Sequence, residues 1–173
     1  MTWHQMWAGW RAEYIASAAV GGNQPGPGQT GSVFTRILQS GVSDDDAYIV
    51  NRGVQCFVIL NAYPYNSGHM LIMPYREIGE LELLTADEHA EMFALTTAAV
   101  RAAKAAYRPD GINVGMNLGE AAGAGIPGHL HVHVVPRWNA DSNFMTTTAT
   151  TRVIPESLPL TLSKLRDAWP AVE

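Results

Sequence analysis

The sequence predicts an α+β fold with a largely antiparallel sheet, and two observations lead to this prediction. Three segments rich in β-branched and aromatic residues come before one long helical pattern, and two more follow it. Strands that succeed one another through short connections pair in the antiparallel sense. The chain of 173 residues has the size of one domain, and its hydrophobic content of 47% is enough to form a core. We therefore expect one domain over residues 1–173, with a core at about 32–140 and helical extensions at both ends.

Residue types and turns indicate the first three strands. Residues 47–51, AYIVN, and residues 54–61, VQCFVILN, flank a short turn and predict a hairpin. Residues 69–74, HMLIMP, form the third strand, which ends at Pro74 because proline cannot donate a hydrogen bond to the ladder.

One long helix follows these strands. Thr85 and Glu88 have the spacing of a capping box, which predicts the start of the helix, and residues 107–111, YRPDG, predict its end. Its apolar stripe would let it lie close to a sheet and consists of Met92, Leu95, Ala99, Ala102 and Ala106.

Helical spacing also appears at both ends of the chain. Residues 32–40, SVFTRILQS, predict a short amphipathic helix. An aromatic stripe, interpreted as an anchor on the core or on a second subunit, consists of Trp3, Trp7, Trp10 and Tyr14. A C-terminal helix is predicted from Leu158, Leu162, Leu165 and Trp169.

Composition and charge exclude several classes of protein. The net charge of −5 argues against a nucleic-acid partner, because duplexes attract basic surfaces. Cys56 is the single cysteine of the sequence, so neither an intramolecular disulfide nor an all-cysteine zinc site can form. No signal peptide and no membrane-spanning run is recognisable, so we expect a cytoplasmic protein without a membrane partner. Charged residues make up 16%, and a surface so lean in charge favours a homodimer.

Half of the six histidines lie in the segment HLHVHVV, residues 129–135. Because side chains alternate along a strand, His129, His131 and His133 are expected to share one face as a row of imidazoles. The other face would pack its apolar side chains, Leu130, Val132 and Val134, on the core.

The strand before the histidines supplies further polar groups. In INVGMN, residues 112–117, the side chains of Asn113 and Asn117 share a face with Gly115, a residue that marks close approach to the backbone. The connecting loop, residues 118–128, contains four glycines and exposes backbone N–H donors that suit a phosphate.

Three aligned imidazoles allow two kinds of chemistry. One is a catalytic zinc site, although ligands about 6.5 Å apart on one strand do not easily converge on an ion at about 2.0–2.1 Å. The other is nucleophilic attack at phosphorus, because a neutral imidazole, with a pKa of about 6.5, is a competent nucleophile at neutral pH. Its neighbours would then orient it and donate hydrogen bonds to phosphoryl oxygens.

HLHVHVV resembles the signature of the histidine-triad (HIT) family, in which histidine and apolar residues alternate. Residues 61–76, NAYPYNSGHMLIMPYR, resemble the third-strand region of that family. Residues 115–145 and TRVIPESL, residues 151–158, look like the bacterial branch described as ATP adenylyltransferases or diadenosine-tetraphosphate phosphorylases. The resemblance covers nearly the whole chain and implies the HIT fold, with about five strands, one long helix and a C-terminal helix.

The resemblance implies nucleotidyl transfer through a covalent nucleotidyl-histidine, with His131, the middle residue of the triad, as the nucleophile. It places His129 and His133 at the phosphate site. Asn61 matches the position that binds the ribose hydroxyls, and Asn117 matches a polar residue near the scissile phosphate.

Three more residues complete the expected substrate-binding set. His69 lies in the segment that resembles the third-strand region, and a core histidine with satisfied hydrogen bonds is the alternative. Gly123 and Gly125 lie in the glycine-rich loop.

Arg137 directly follows the triad strand, and either a phosphate clamp or a surface salt bridge would suit it.

The sequence departs from the family pattern at two places. Ser32 and Thr35 stand where many relatives carry a Cys-x-x-Cys pair, and hydroxyls are poor zinc ligands, so we expect no structural zinc and no required cofactor. Gly125 stands where many relatives have Gln or Ser, so the sequence leaves open whether water or phosphate is the acceptor.

The expected substrate is a dinucleoside polyphosphate such as diadenosine tetraphosphate, cleaved by phosphorolysis or hydrolysis. The alternatives are a purine nucleoside phosphoramidase, a nucleotide sensor without catalysis, and a metal-dependent hydrolase. Base preference stays open, because apolar contacts can hold any purine.

Overall fold

A computed structural model describes residues 30–141 and 156–171, and its elements confirm the predicted α+β order. The helices are α1 (Val33–Gln39), α2 (Ala86–Tyr107) and α3 (Leu158–Asp167). The strands are β1 (Ile49–Arg52), β2 (Cys56–Leu60), β3 (Met70–Pro74), β4 (Gly111–Met116) and β5 (Val132–Arg137). The aromatic stripe predicted from Trp3, Trp7, Trp10 and Tyr14 lies outside the described residues.

The strands form one sheet in the order β1-β2-β3-β5-β4, and all neighbouring pairs are antiparallel. Because β5 lies between β3 and β4, His133 stands on an interior strand with a neighbour on each side. Gly115 of β4 is the cross-strand partner of His133, and Leu71 of β3 is its partner on the other side. β4 is an edge strand of the described sheet.

The long helix α2 begins with the capping box predicted from the sequence. The Thr85 hydroxyl accepts a hydrogen bond from the Glu88 N–H at 3.2 Å, and the Glu88 carboxylate accepts one from the Thr85 N–H at 2.8 Å. The Arg76 guanidinium also donates to Glu88, at 2.9 and 2.7 Å, and holds the pKa of this buried carboxyl at about 2. Arg76 thereby joins the segment after β3 to the start of α2.

Apolar side chains pack against both faces of the sheet. The core between the sheet and the helices α2 and α3 includes Val58, Ile72, Met92, Ala99, Val132 and Leu165. The core on the opposite face, between the sheet and α1, includes Phe34, Ile49, Phe57, Ile59, Leu71 and Met73. Since β2 and β3 are buried on both faces, their sequences are continuous apolar runs.

The prediction that all three histidines lie in one strand is wrong, because β5 begins at Val132. His129 and His131 precede the strand, where the chain leaves the β-ladder and the Leu130 N–H donates instead to the Ile78 carbonyl at 2.6 Å. The predicted burial of the apolar residues between the histidines is confirmed, since Leu130, Val132 and Val134 all pack in the core under α2.

Candidate active site

A cavity of about 570 Å³ lies between α1, the segment after β2 and the segment that carries the histidines. One part of its wall is apolar and includes Val33, Phe34, Ile37, Leu71 and Ile126. The polar part includes Asn61, Asn117, His131 and His133, together with Gly123 and Gly125 of the glycine-rich loop. Such a combination of an apolar wall and a few polar groups is typical of a small-molecule site.

The proton of His131 can be placed from its hydrogen-bond partner. Its Nδ1 lies 2.8 Å from the backbone carbonyl oxygen of His129. A carbonyl only accepts, so Nδ1 carries the proton and Nε2 keeps its lone pair. Burial lowers the pKa of His131, so the ring is neutral at neutral pH. His131 therefore presents the electronic form that a nucleophile needs.

A chain of hydrogen bonds also determines the protonation of His133. The Tyr65 N–H donates to Nδ1 of His69 at 3.0 Å, so the proton of His69 is on Nε2. His69 Nε2 lies 2.9 Å from Nδ1 of His133 and donates to it. His133 must then carry its own proton on Nε2, which makes that atom a hydrogen-bond donor.

His129 is completely buried and does not line the cavity, so the expected open row of three imidazoles is wrong at this position. Its Nε2 donates to the Pro74 carbonyl oxygen at 2.8 Å, and its Nδ1 accepts from the Ser32 hydroxyl at 2.7 Å. Burial lowers the pKa of His129 and favours the neutral ring. Because its carbonyl bonds to His131, His129 acts in this structure as a support for its neighbour.

The residues that replace the Cys-x-x-Cys pair form a hydrogen-bonded cluster. The Glu77 carboxylate accepts from the Ser32 N–H at 2.7 Å and from the Thr35 hydroxyl at 2.6 Å. The Ser32 hydroxyl in turn donates a hydrogen bond to Nδ1 of His129, and this bond occupies the lone pair of that nitrogen. Two hydroxyls and an occupied imidazole do not suit zinc. Within residues 30–141 and 156–171, no group of three His, Cys, Asp or Glu side chains is placed to hold a metal ion.

The remaining predicted residues divide into two groups. Asn61, Asn117, Gly123 and Gly125 line the cavity beside His131 and His133. The Asn61 oxygen accepts from the Tyr63 N–H at 2.9 Å, and the Asn117 amide donates to the Gly123 carbonyl at 3.4 Å.

His69 belongs to a second group, behind the cavity wall. It is 1% exposed and contacts His133 from behind. The Asn61 amide nitrogen lies 3.3 Å from its Nδ1, so Asn61 connects the cavity to this buried histidine.

Sequence reasoning missed the apolar side chains that α1 brings to the site. Phe34 lies edge-on to both His129 and His131, with ring centroids 5.4 and 5.7 Å apart. The amphipathic pattern of residues 32–40 predicted an apolar helix face, but the surface that this face covers depends on tertiary packing.

A second, smaller groove of about 360 Å³ adjoins the main cavity. The two share Tyr65, Asn117 and His133. Arg137 lies in this groove and forms a salt bridge with Asp141, at 2.6 and 2.8 Å. The arginine also holds the pKa of Asp141 well below its usual range.

None of the helices in the described part of the chain has the length and apolar character needed to cross a bilayer.

Comparisons with known proteins agree on one family. The family model described as HIT domain matches residues 43–140. The AP-4-A phosphorylase of Mycobacterium tuberculosis is 43% identical over 165 residues, which cover 95% of this chain and 84% of that protein. The bis(5'-adenosyl)-triphosphatase of Saccharomyces cerevisiae is 34% identical over 87 residues, 50% of this chain and 42% of that protein.

A solved structure supports the same conclusion. The zinc-bound histidine triad family protein of Mycobacterium smegmatis superposes with a TM-score of 0.63 at 28% identity, covering 79% of this chain and 91% of that one. The sequence match, the fold and the histidine-lined cavity lead to one conclusion: the chain belongs to the histidine-triad (HIT) family.

Proposed function

We propose that this HIT-family enzyme cleaves dinucleoside polyphosphates, such as diadenosine tetraphosphate, through a covalent nucleotidyl-histidine at His131. The observation that carries the proposal is the bond between Nδ1 of His131 and the His129 carbonyl, which leaves the lone pair on Nε2 of a histidine that lines a cavity of about 570 Å³. The names of two relatives, AP-4-A phosphorylase and bis(5'-adenosyl)-triphosphatase, support this class of substrate.

In the first step, Nε2 of His131 attacks the α-phosphorus. A P–N bond forms and the P–O bond to the leaving nucleotide breaks, so the bonding electrons leave with that oxygen. Nδ1 keeps its proton and its bond to the His129 carbonyl, which stabilises the positive charge that the ring acquires. The Nε2–H of His133 donates to an oxygen of the phosphoryl group, where negative charge develops.

In the second step, an acceptor attacks the same phosphorus and the P–N bond breaks, which returns His131 to its neutral form. With phosphate as the acceptor, diadenosine tetraphosphate yields ATP and ADP. With water, it yields ATP and AMP, and the water loses a proton. We favour phosphate, because the relative that is 43% identical is named as a phosphorylase.

The residues that line the cavity support a proposed placement of the nucleoside. The apolar side chains of Phe34, Ile37 and Ile126 offer a surface for a purine base, and Asn61 offers an amide to the ribose hydroxyls. Asn117, Gly123 and Gly125 line the cavity beside the histidines and are proposed to contact the phosphates.

We further propose a cytoplasmic homodimer. Two observations support the dimer. The strand β4 lies at the edge of the described sheet, where a second copy could pair with its backbone, and charged residues make up only 16% of the chain. Light scattering of the purified protein tests this arrangement, and the mass of a single chain would contradict it.

The decisive experiment is product analysis with diadenosine tetraphosphate, with and without added phosphate. ATP and ADP that form only with phosphate would establish phosphorolysis, and ATP with AMP would establish hydrolysis. Cleavage of adenosine 5′-phosphoramidate without cleavage of the dinucleotide would favour the phosphoramidase alternative.

The assignment of His131 is tested in the same assay. His131→Ala should abolish turnover while the circular dichroism spectrum stays unchanged. His89→Ala is the matched control, because His89 lies on α2 and does not line the cavity. Turnover by the His131→Ala protein would refute the mechanism, and tight dinucleotide binding by a wild-type protein without turnover would indicate a sensor.

A further inference from the structure

The imidazole ring of His133 lies against three other rings. Tyr65 stacks on it, with the two ring planes 13° apart and the centroids separated by 5.9 Å. The ring of His131 meets it edge-on, with a centroid separation of 4.8 Å and an angle of 63°. The ring of His69 lies 5.2 Å away and bonds to its Nδ1. Stacked and edge-on contacts at such separations are favourable for aromatic rings. The side chain of Tyr65 is the one member of this group without a role in the proposed reaction.

The segment that carries Tyr65 is tied to the strand of His133. Asn66, the residue after Tyr65, donates through its side-chain amide to the Pro136 carbonyl oxygen at 3.0 Å and to the Asp141 carboxylate at 2.7 Å. Pro136 belongs to β5, as does His133. These bonds hold the backbone of the segment against β5, and the half-buried ring of Tyr65 is thereby kept over the imidazole.

The plane of the His133 ring matters because its Nε2–H is a directional donor. Hydrogen bonds weaken steeply when the angle at the hydrogen falls below about 120°. The torsion that rotates a histidine ring has broad, roughly two-fold preferences, so the side chain by itself restrains the plane little. A rotation would turn the donor away from a phosphoryl oxygen and would also break the bond that Nδ1 accepts from His69. A ring stacked on His133 opposes such a rotation.

We propose that Tyr65 is a positioning residue, whose ring keeps His133 in the plane that directs its Nε2–H at the reacting phosphoryl group. The proposal rests on the function proposed above, in which His133 is that donor. Tyr65 also lines the cavity, so a contact between its phenol hydroxyl and the substrate is the competing explanation. The two explanations differ in which part of the side chain is needed: the ring or the hydroxyl.

The test uses two variants of Tyr65. Tyr65→Phe keeps the ring and removes the hydroxyl, whereas Tyr65→Leu removes the ring and keeps an apolar side chain. Both retain the backbone N–H that donates to His69. Tyr65→Met, with a flexible apolar side chain, takes the place of the leucine variant if that variant does not fold.

Tyr75→Leu is the matched control. Tyr75 also stacks on a neighbouring ring, that of Phe57, with the centroids 5.2 Å apart and the planes at 21°. It is not among the described residues that line the cavity. The control therefore removes a comparable stacking contact at a distance from the proposed chemistry, and thermal melts of all variants report whether the fold is intact.

Steady-state kinetics with diadenosine tetraphosphate give the first readout. In Tyr65→Leu, kcat should fall by about threefold to tenfold, the effect expected for the loss of one aromatic contact. Its KM, and its binding of AMP, should stay within about twofold of wild type. Tyr65→Phe and Tyr75→Leu should keep kcat within about twofold of wild type.

Nuclear magnetic resonance of 15N-labelled histidine rings gives a second readout, which does not depend on turnover. The resonances of the two ring nitrogens show which of them carries the proton. Wild type, Tyr65→Phe and Tyr75→Leu should show His133 with its proton on Nε2. Tyr65→Leu should show a mixture of both tautomers, because a rotating ring loses the bond from His69 that selects one of them.

Three results would overturn the proposal. Equal losses of kcat in Tyr65→Phe and Tyr65→Leu would assign the role to the hydroxyl. A raised KM with unchanged kcat in Tyr65→Leu would make Tyr65 a substrate-binding residue. An unchanged histidine spectrum in Tyr65→Leu would show that the ring does not hold His133. If wild type does not cleave the dinucleotide, the proposed function fails, and the spectra alone decide whether Tyr65 positions His133.

Discussion

His69 Nε2 lies 2.9 Å from His133 Nδ1, and this contact joins a residue behind the cavity wall to a residue within it. The backbone N–H of Tyr65 determines which nitrogen of His69 carries the proton, and His69 in turn determines this for His133. A side chain that never reaches the cavity thus decides whether its neighbour offers a donor or an acceptor.

Substitutions of His69 should therefore distinguish a role in fixing the proton of His133 from a role in the stability of the fold. In His69→Gln, the amide oxygen can accept from the Tyr65 N–H while the amide nitrogen donates to His133, so much of the activity should remain. In His69→Leu the donor is lost, and kcat should fall by about tenfold to a hundredfold with a smaller effect on KM. Steady-state kinetics, pH profiles and thermal melts of both variants check this. Equal losses in the two variants would reduce His69 to a packing role.

The two buried triad histidines should make the protein sensitive to acid. Burial lowers the pKa of His129 and of His131 below the ordinary value of 6.5. The unfolded chain takes up protons as the pH falls through 6.5, whereas the folded protein keeps both rings neutral to a lower pH. The free energy of unfolding should therefore decrease below about pH 6.5 and level off below the folded pKa values.

Denaturant unfolding between about pH 8 and about pH 5 measures this dependence, and His131→Gln should show a shallower decrease. Because the nucleophile must be neutral, the acid limb of kcat should also lie below pH 6.5. An acid limb above pH 6.5 would contradict a neutral, buried His131 as the attacking group.

The hydroxyl cluster around Ser32 leads to a prediction about metal content. We expect no stoichiometric zinc in the purified protein and no change of Tm with a chelator, because Ser32 already satisfies the Nδ1 of His129. Ser32→Ala should lower the free energy of unfolding by about 1–3 kcal/mol, since it leaves a buried nitrogen without its donor. Ser163→Ala, at an exposed position of α3, is the control. Bound zinc at one ion per chain would contradict this account.

Glu91 should contribute to the stability of the hairpin between β1 and β2. Its carboxylate accepts hydrogen bonds from the backbone N–H groups of Val54 and Cys56, both at 2.7 Å, and from that of Gln55. Glu91→Ala should lower the free energy of unfolding by about 1–3 kcal/mol, because three amides lose their acceptor. Denaturant unfolding measures the change, and Glu82→Ala, at an exposed site, serves as the control. Similar losses in both variants would rule out a specific role of Glu91.

The elements of the fold could be predicted from local sequence features. Thr85 and Glu88 set the start of α2 through contacts three residues apart, and the confirmed hairpin of β1 and β2 follows from residue types around a short turn. The start of β5 could not be predicted in this way. Alternation indicated a strand from His129, but the chain there bonds to Ile78 and Pro74, which are distant in sequence.

In the candidate site, too, some features follow from local sequence and others depend on contacts between distant residues. By itself, the alternation of histidine and apolar residues predicted the family, which the comparisons confirm, and the chemistry proposed for His131 and its neighbours, because side-chain period and residue type are local properties. Only the tertiary structure decided that His131 and His133 line the cavity whereas His129 and His69 support them. Ser32 and Pro74 lie 97 and 55 residues from His129, and His69 lies 64 residues from His133. Hydrogen bonds between such distant residues form only when the strands and α1 have packed, so no local pattern encodes which imidazole is buried.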